Sequence, residues 1–270
     1  MFFDDTGLKH SLLSPLLAQG SELVLPPTPL PDNNCVYPNW WIYLPEDGRH
    51  DGITLVRLWW LGRKVSMEVY VLGSGGWGIP TTAMTEIELP HPTPGWKNVL
   101  YPFHGKIFMA IAAGYTLGLD LTTSRFFTLK HPDGVGSNFM LSYADSGLHL
   151  LNAEGFQLSI WLHKLTCDDN GGWLLVDTFC VHEECKRVAG DVWVPRVGDC
   201  VDIVAAGDNA EFVFLVHEAS NVVLYVHLRS RVVEKVYDKH DSVHRMWPHY
   251  EVCISPLMMV WPPVFPTLNG

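Results

Sequence analysis

Gly118-Leu119-Asp120-Leu121-Thr122-Thr123-Ser124-Arg125-Phe126-Phe127 and Leu224-Tyr225-Val226-His227-Leu228-Arg229-Ser230-Arg231-Val232-Val233 follow one local plan. Aligned on Ser124 and Ser230, each gives an apolar strand end, a polar turn, an Arg and two β-forming residues. The plan extends outward from these hairpins. Lys106-to-Leu129, Gly147-to-Val176 and Glu211-to-Val236 each read as an apolar strand, a short turn, a longer strand ending near an acid, His or Lys, a hairpin turn and a closing strand. A strand pair of this kind cannot bury both faces alone, so repetition points to stacked sheets before it points to any activity.

The spacing is regular. The strand entering each central hairpin begins near Val65, Tyr115, Leu158 and Val222, and the strand before it near Thr54, Lys106, Gly147 and Glu211. Those offsets are all roughly ten residues, one strand plus a turn. A further strand precedes the pair at Trp40-Leu44, Asn138-Tyr143 and Val201-Ala205. A period of roughly 40–50 residues with about four strands per unit is the signature of a propeller blade. The last gap is lengthened by a polar insert around Glu183-to-Asp199. The expected fold is all-β and β-propeller-like, with kelch-type blades, about five or six of them, in a ring that need not be complete. Four nearly complete blades are expected at 40–90, 97–131, 138–182 and 200–238.

The 270 residues are 47% hydrophobic and 12% aromatic, which suffices for a large core and excludes disorder. Ser11-to-Gln19 is read as one short helical turn, and residues 26–38, with five prolines, as an extended connector. A net charge of -11, with no run of Lys or Arg, argues against nucleic acid. The longest apolar stretch, Phe108 to Leu119, is too short to span a bilayer. The acidic start Met1-Phe2-Phe3-Asp4-Asp5 is not a signal peptide. Cys35, Cys167, Cys180, Cys185, Cys200 and Cys253 are scattered, and there is no Asn-x-Ser/Thr site. This usage fits free thiols in a reducing compartment, cytoplasm or nucleus.

Chemistry-bearing patterns are weak. Cys180-Val181-His182-Glu183-Glu184-Cys185 is the best metal-like patch, but zinc needs a second ligand pair to close a tetrahedron. It is read as a strand end, a solvated acidic turn and buried thiols. His240 and His244, with His249 beyond, have ligand spacing only on a helix, which Pro248 and the flanking β pattern oppose. No Gly-x-Ser-x-Gly elbow occurs. Gly73-Ser74-Gly75-Gly76-Trp77-Gly78 lacks the Lys of a phosphate loop. Like Asn170-Gly171-Gly172-Trp173, it sets a Gly pair before a Trp that starts a strand. Trp77, Trp161 and Trp173 are expected to fill the gaps between stacked sheets. No cofactor, metal or catalytic residue is assigned.

Further blocks carry a resemblance. Cys35-Val36-Tyr37-Pro38, Leu58-Trp59-Trp60, Val226-to-Tyr237 and the ending Ile254-Ser255-Pro256-Leu257-Met258-Met259-Val260-Trp261-Pro262-Pro263-Val264-Phe265-Pro266 resemble the propeller-like F-box-associated domain of a large plant family that is abundant in grasses. The resemblance covers roughly residues 20–266, and the C-terminal block is its specific part. It implies a domain over 21–266, after a short segment 1–20 and before a tail 267–270. Family members usually add an N-terminal F-box, which docks the Skp1 adaptor of a cullin-RING ubiquitin ligase, and the propeller recruits the protein to be modified. An F-box would need a longer helical run than residues 1–20 allow, and Ser14-Pro15 breaks what periodicity exists. The Skp1 adaptor is thus expected as a partner only if an F-box lies upstream.

The leading expectation is a non-catalytic protein-interaction module with an unknown protein partner, and with neither nucleic acid nor membrane as ligand. The alternative is a propeller that binds or hydrolyses a small ligand in its central channel. That would need convergent groups at equivalent strand ends, and Asp120, His163 and His227 are the candidates. Ring closure would pair Glu251-to-Ser255 and Met258-to-Trp261 with Glu22-to-Leu25 or Trp40-to-Leu44.

Overall fold

The computed structural model describes residues 11–13, 22–24, 40–45, 53–61, 63–86, 96–103, 105–111, 114–144, 146–164, 172–194, 197–207 and 210–238. Near the N-terminus β1 (Ser11–Leu13) pairs antiparallel with β2 (Glu22–Val24). Ser11 therefore opens a strand, not the helical turn expected for Ser11-to-Gln19. The strand at Glu22 has its partner in β1. The C-terminal strands expected to close a ring lie outside the described residues, as do Cys35-to-Pro38 and the His240–His249 cluster.

Four larger antiparallel sheets follow. The first holds β3 (Trp40–Pro45), β4 (Ile53–Leu61), β5 (Lys64–Gly73) and β6 (Gly76–Trp77), with β7 (Thr81–Glu86) also on β5. The second runs β8 (Trp96–Phe103), β9 (Lys106–Ile111), β10 (Tyr115–Asp120) and β11 (Arg125–Lys130). The third runs β12 (Phe139–Ala144), β13 (Gly147–Glu154), β14 (Gln157–His163) and β15 (Trp173–Cys180). The fourth runs β16 (Asp202–Ala206), β17 (Phe212–His217), β18 (Val222–His227) and β19 (Val232–Asp238). The repeat starts lie within about a residue of those expected, close to the limit at which strand ends can be assigned at all. The architecture is all-β, of propeller type.

Burial explains the strand sequences. Ile107–Ile111 of β9 is buried at every position and continuously apolar, and Gly147–Ala153 of β13 is buried throughout with only His149 and Asn152 polar, so both faces of each strand are covered. The outermost β15 is instead exposed along much of its length. β15 and β19 each carry a register shift against their inner neighbour, at Ile160/Trp161 and Val223/Leu224. Bulges of this kind kink an outer strand and blunt its edge.

The described residues fall into two compact units, one drawn from Met1–Pro90, His104–Lys106 and Leu119–Phe127, the other from the remainder. In the first, Arg57 is 2% exposed and lies directly across from Glu68, which it contacts at 3.1 Å. The Tyr70 hydroxyl donates to the same carboxylate oxygen at 2.8 Å, and the Arg57 guanidinium covers Trp59 at 4.7 Å. Burial, then the Glu68 carboxylate, pushes the Tyr70 phenol up to about 12. A raised folded value stabilises below the ordinary 10.0 and is lost as pH climbs from there towards 12. Urea unfolding across that window is expected to lose stability in the parent and less of it in Tyr70→Phe.

In the second unit the third and fourth sheets share a core that includes Leu151, Leu158, Phe179, Val213, Leu215, Leu224 and Val226. Their first strands are stitched by side chains. Asn138 Nδ2 donates to the Val201 carbonyl at 2.7 Å, and the Ile203 amide donates back to Asn138 Oδ1 at 3.0 Å. The Ser142 hydroxyl donates to the Gly207 carbonyl at 2.6 Å and accepts from the Ala210 amide at 3.2 Å. Each polar side chain satisfies two backbone groups that stacking would otherwise strand. Trp77, Trp161 and Trp173 are half-buried rather than sealed. Trp173 Nε1 reaches the Lys130 carbonyl at 2.7 Å, which ties β15 to the end of β11.

Candidate functional site

The three strand-end candidates occupy one equivalent place, the last residue of the third strand in their sheets. Asp120 and His227 each bond within their own turn, and His163 is buried. Asp120 Oδ1 accepts from the Thr122 and Thr123 amides at 2.8 and 2.9 Å, and these bonds hold its carboxyl below the usual range. His227 Nδ1 accepts from the Ser230 amide at 3.1 Å and contacts its hydroxyl at 2.8 Å. Both side chains close their own turn. Leu121 and Leu228 then donate to the Gly105 and Glu211 carbonyls at 2.8 Å. The left-handed residue is Ser124 in one hairpin and Arg231 in the other, at φ 52 and 57. The alignment of Ser124 on Ser230 is therefore one residue out: Asp120 matches His227. Asp120→Ala and His227→Ala should each cost about 1 kcal/mol in chemical denaturation, the worth of the turn-closing bonds. His163 is 2% exposed and packs its ring against Trp173 at 5.2 Å.

The metal-like patch resolves differently from its sequence reading. Cys180 ends β15 and is exposed, so only Cys185 of the two thiols is buried. Residues His182–Ala189 form helix α1, with Glu183 and Glu184 in its first turn, where the helix dipole favours carboxylates. Cys185 and Ala189 face the core, and burial raises the Cys185 thiol to about 12. Among the described residues no three His, Cys, Asp or Glu side chains converge as metal ligands.

What the polar insert builds is a platform. The connection from Val181 to Val201 begins and ends on one hairpin: the Val181 amide donates to the Phe156 carbonyl at 2.9 Å, and the Val201 amide to the Gly155 carbonyl at 3.1 Å. Its middle is pinned to the fourth sheet, where the Val194 amide donates to Ser220 Oγ at 2.7 Å. Trp193 stacks on His217 at 4.2 Å with an interplanar angle of 8°, and Phe156 and His182 pack around the pair at 5.8 and 5.7 Å from Trp193. His217 is wholly buried, and its Nε2 lies 2.8 Å from Asp199 Oδ2, off the line of a hydrogen bond. Phe156, His182 and Trp193 are half-buried.

Around this base the apolar side chains turn outward. Val192, Val194 and Val197 are 42%, 45% and 108% exposed. Three exposed valines on a connection pinned at its ends and middle form an apolar surface in the second unit, where Leu174, Leu175 and Val176 of β15 are also exposed, at 59%, 45% and 52%. Sequence reasoning passed over Phe156, Trp193, Asp199 and His217. The available signal was the lengthened gap between the third and fourth repeats. No helix among the described residues is long and apolar enough to cross a membrane.

A family model described as F-box protein AT5G49610-like, β-propeller, matches residues 1–265. No curated protein matches the chain. Among solved structures, the β-propeller domain of Cps50 (Swd1) from Myceliophteria thermophila is 8% identical over 70% of this chain and 70% of that one, with a TM-score of 0.39. Hsv2 from Kluyveromyces lactis is 11% identical over 66% of this chain and 57% of that one, with a TM-score of 0.31.

Proposed function

Because the chain belongs to the F-box protein AT5G49610-like β-propeller family, we propose that its work is protein recognition without catalysis. The observation that carries this reading is the outward-facing Val192, Val194 and Val197, held by backbone bonds at both ends and in the middle of their connection. Pre-organised apolar loops on a rigid sheet scaffold lose little entropy on binding. The fold itself does not name the ligand. Where an F-box is joined to this domain, the recognised protein would be delivered to a ubiquitin ligase through the Skp1 adaptor, in the cytoplasm or nucleus.

The test is a photo-crosslinking amino acid at position 197, with a control at Arg229. Arg229 sits in the turn between β18 and β19, at the opposite end of the fourth sheet from the β17–β18 turn that holds Val194. In cells of the source organism, position 197 should capture one recurring protein that position 229 does not. Equal capture from both positions, or none from position 197, would remove the reading.

A further inference from the structure

Carboxylates surround the valines and Trp193. Asp191 precedes Val192; Glu218 follows His217, beneath Trp193; Glu154 precedes the Gly155-Phe156 turn; Glu183 and Glu184 begin α1; all five are exposed. Among the described residues of this surface the exposed cations are Lys186 and Arg187, and Arg187 is spent on Glu184 at 2.7 Å. Arg196 adjoins Val197 in sequence and lies outside the described residues. Glu154, Asp191 and Glu218 have no cation within ion-pair distance among the described side chains around them.

We propose that this surface takes a polypeptide segment with an apolar anchor flanked by Lys or Arg. The proposal rests on the reading of the connection as a recognition face, and adds the chemistry of its partner. An apolar centre gives burial, while a rim of one sign selects partners of the other and speeds their encounter. Exposed rim charges contribute through specificity and rate more than through raw affinity, so the salt dependence should be clear and the affinity modest.

The probes are two fluorescein-labelled peptides with the same Leu-Trp-Leu centre, one flanked by lysines and the other by glutamates. Fluorescence anisotropy with the full chain should give at least about fivefold tighter binding of the lysine peptide, and the preference should shrink as salt is raised. Val197→Asp should abolish specific binding. Asp191→Lys with Glu218→Lys should weaken the lysine peptide about tenfold. Glu234→Lys, the same kind of charge change on exposed β19, should leave it nearly unchanged and so separates local attraction from the pull of a chain with net charge -11. Equal binding of both peptides, or a preference for glutamate, overturns the charge assignment; if both are still lost in Val197→Asp, the recognition face stands. Lysine-peptide binding that ignores Val197→Asp, weakens equally with Glu234→Lys, or is absent altogether overturns the proposal.

Discussion

Gly147→Ala should cost about 3 kcal/mol or more, a large effect for one added methyl group. Gly147 opens β13 at φ 138, in the region that side-chain-bearing residues avoid. A Cβ there would be driven into the backbone carbonyl of His163, across the β13–β14 pair. Backbone cannot step aside as a flexible side chain can. Relief would require the end of β14 to move, together with His163, which is packed against Trp173. The comparison is Gly155→Ala, at φ 60 with open space around its would-be Cβ. Its cost should be confined to the backbone conformation, about 1 kcal/mol. Chemical denaturation of both variants checks this: equal midpoints would mean that the approach of β13 to β14 is looser than described.

The second large effect is acid lability between the second and third sheets. His131 is 5% exposed, packs edge-on against Phe139 at 4.6 Å, and has Nε2 2.9 Å from Thr116 Oγ1. Burial pushes the imidazole down to about 4. His149 is shifted in the same direction, also chiefly by burial. A depressed folded value means that the unfolded chain takes up the proton first. The contribution is fully present above 6.5 and is lost as pH falls from there towards 4. For His131 the expected loss is about 2 kcal/mol, after allowing for residual solvation. Urea midpoints measured through this window should fall in the parent. In His131→Phe they should fall by less, since the imidazole is gone and the ring packing is largely kept. Parallel pH profiles for the two would show that His131 is charged in the folded protein.

The sheets were legible because each blade must bury two faces. That requirement writes apolar runs such as Ile107–Ile111 and Val213–Val216 into the chain at a regular spacing, punctuated by turns. The turns are offset by one residue from the alignment of Ser124 on Ser230, because the left-handed position is Ser124 in one copy and Arg231 in the other. The geometry follows the side chain that closes the turn, and Asp120 and His227 do this with different chemistry but the same reach. The first strand of the second sheet, Trp96–Phe103, was less visible because its Pro102 and Lys97 dilute the β pattern. The platform was least legible. Its strength lies in contacts between residues far apart in sequence: Trp193 with His217, Val194 with Ser220, Val201 with Gly155. None of these follows a local period, and a polar composition hid the helix His182–Ala189, whose apolar face is only Cys185, Val188 and Ala189.

The most direct measurement of the central claim is a paired readout on Val197→Asp. Val197 is fully exposed and its side chain supports no core. The unfolding free energy should therefore stay within about 0.5 kcal/mol of the parent, while capture of the partner identified from this connection is lost. Unchanged capture in a stably folded Val197→Asp chain would contradict the account, because the recognition surface would then lie elsewhere on the propeller.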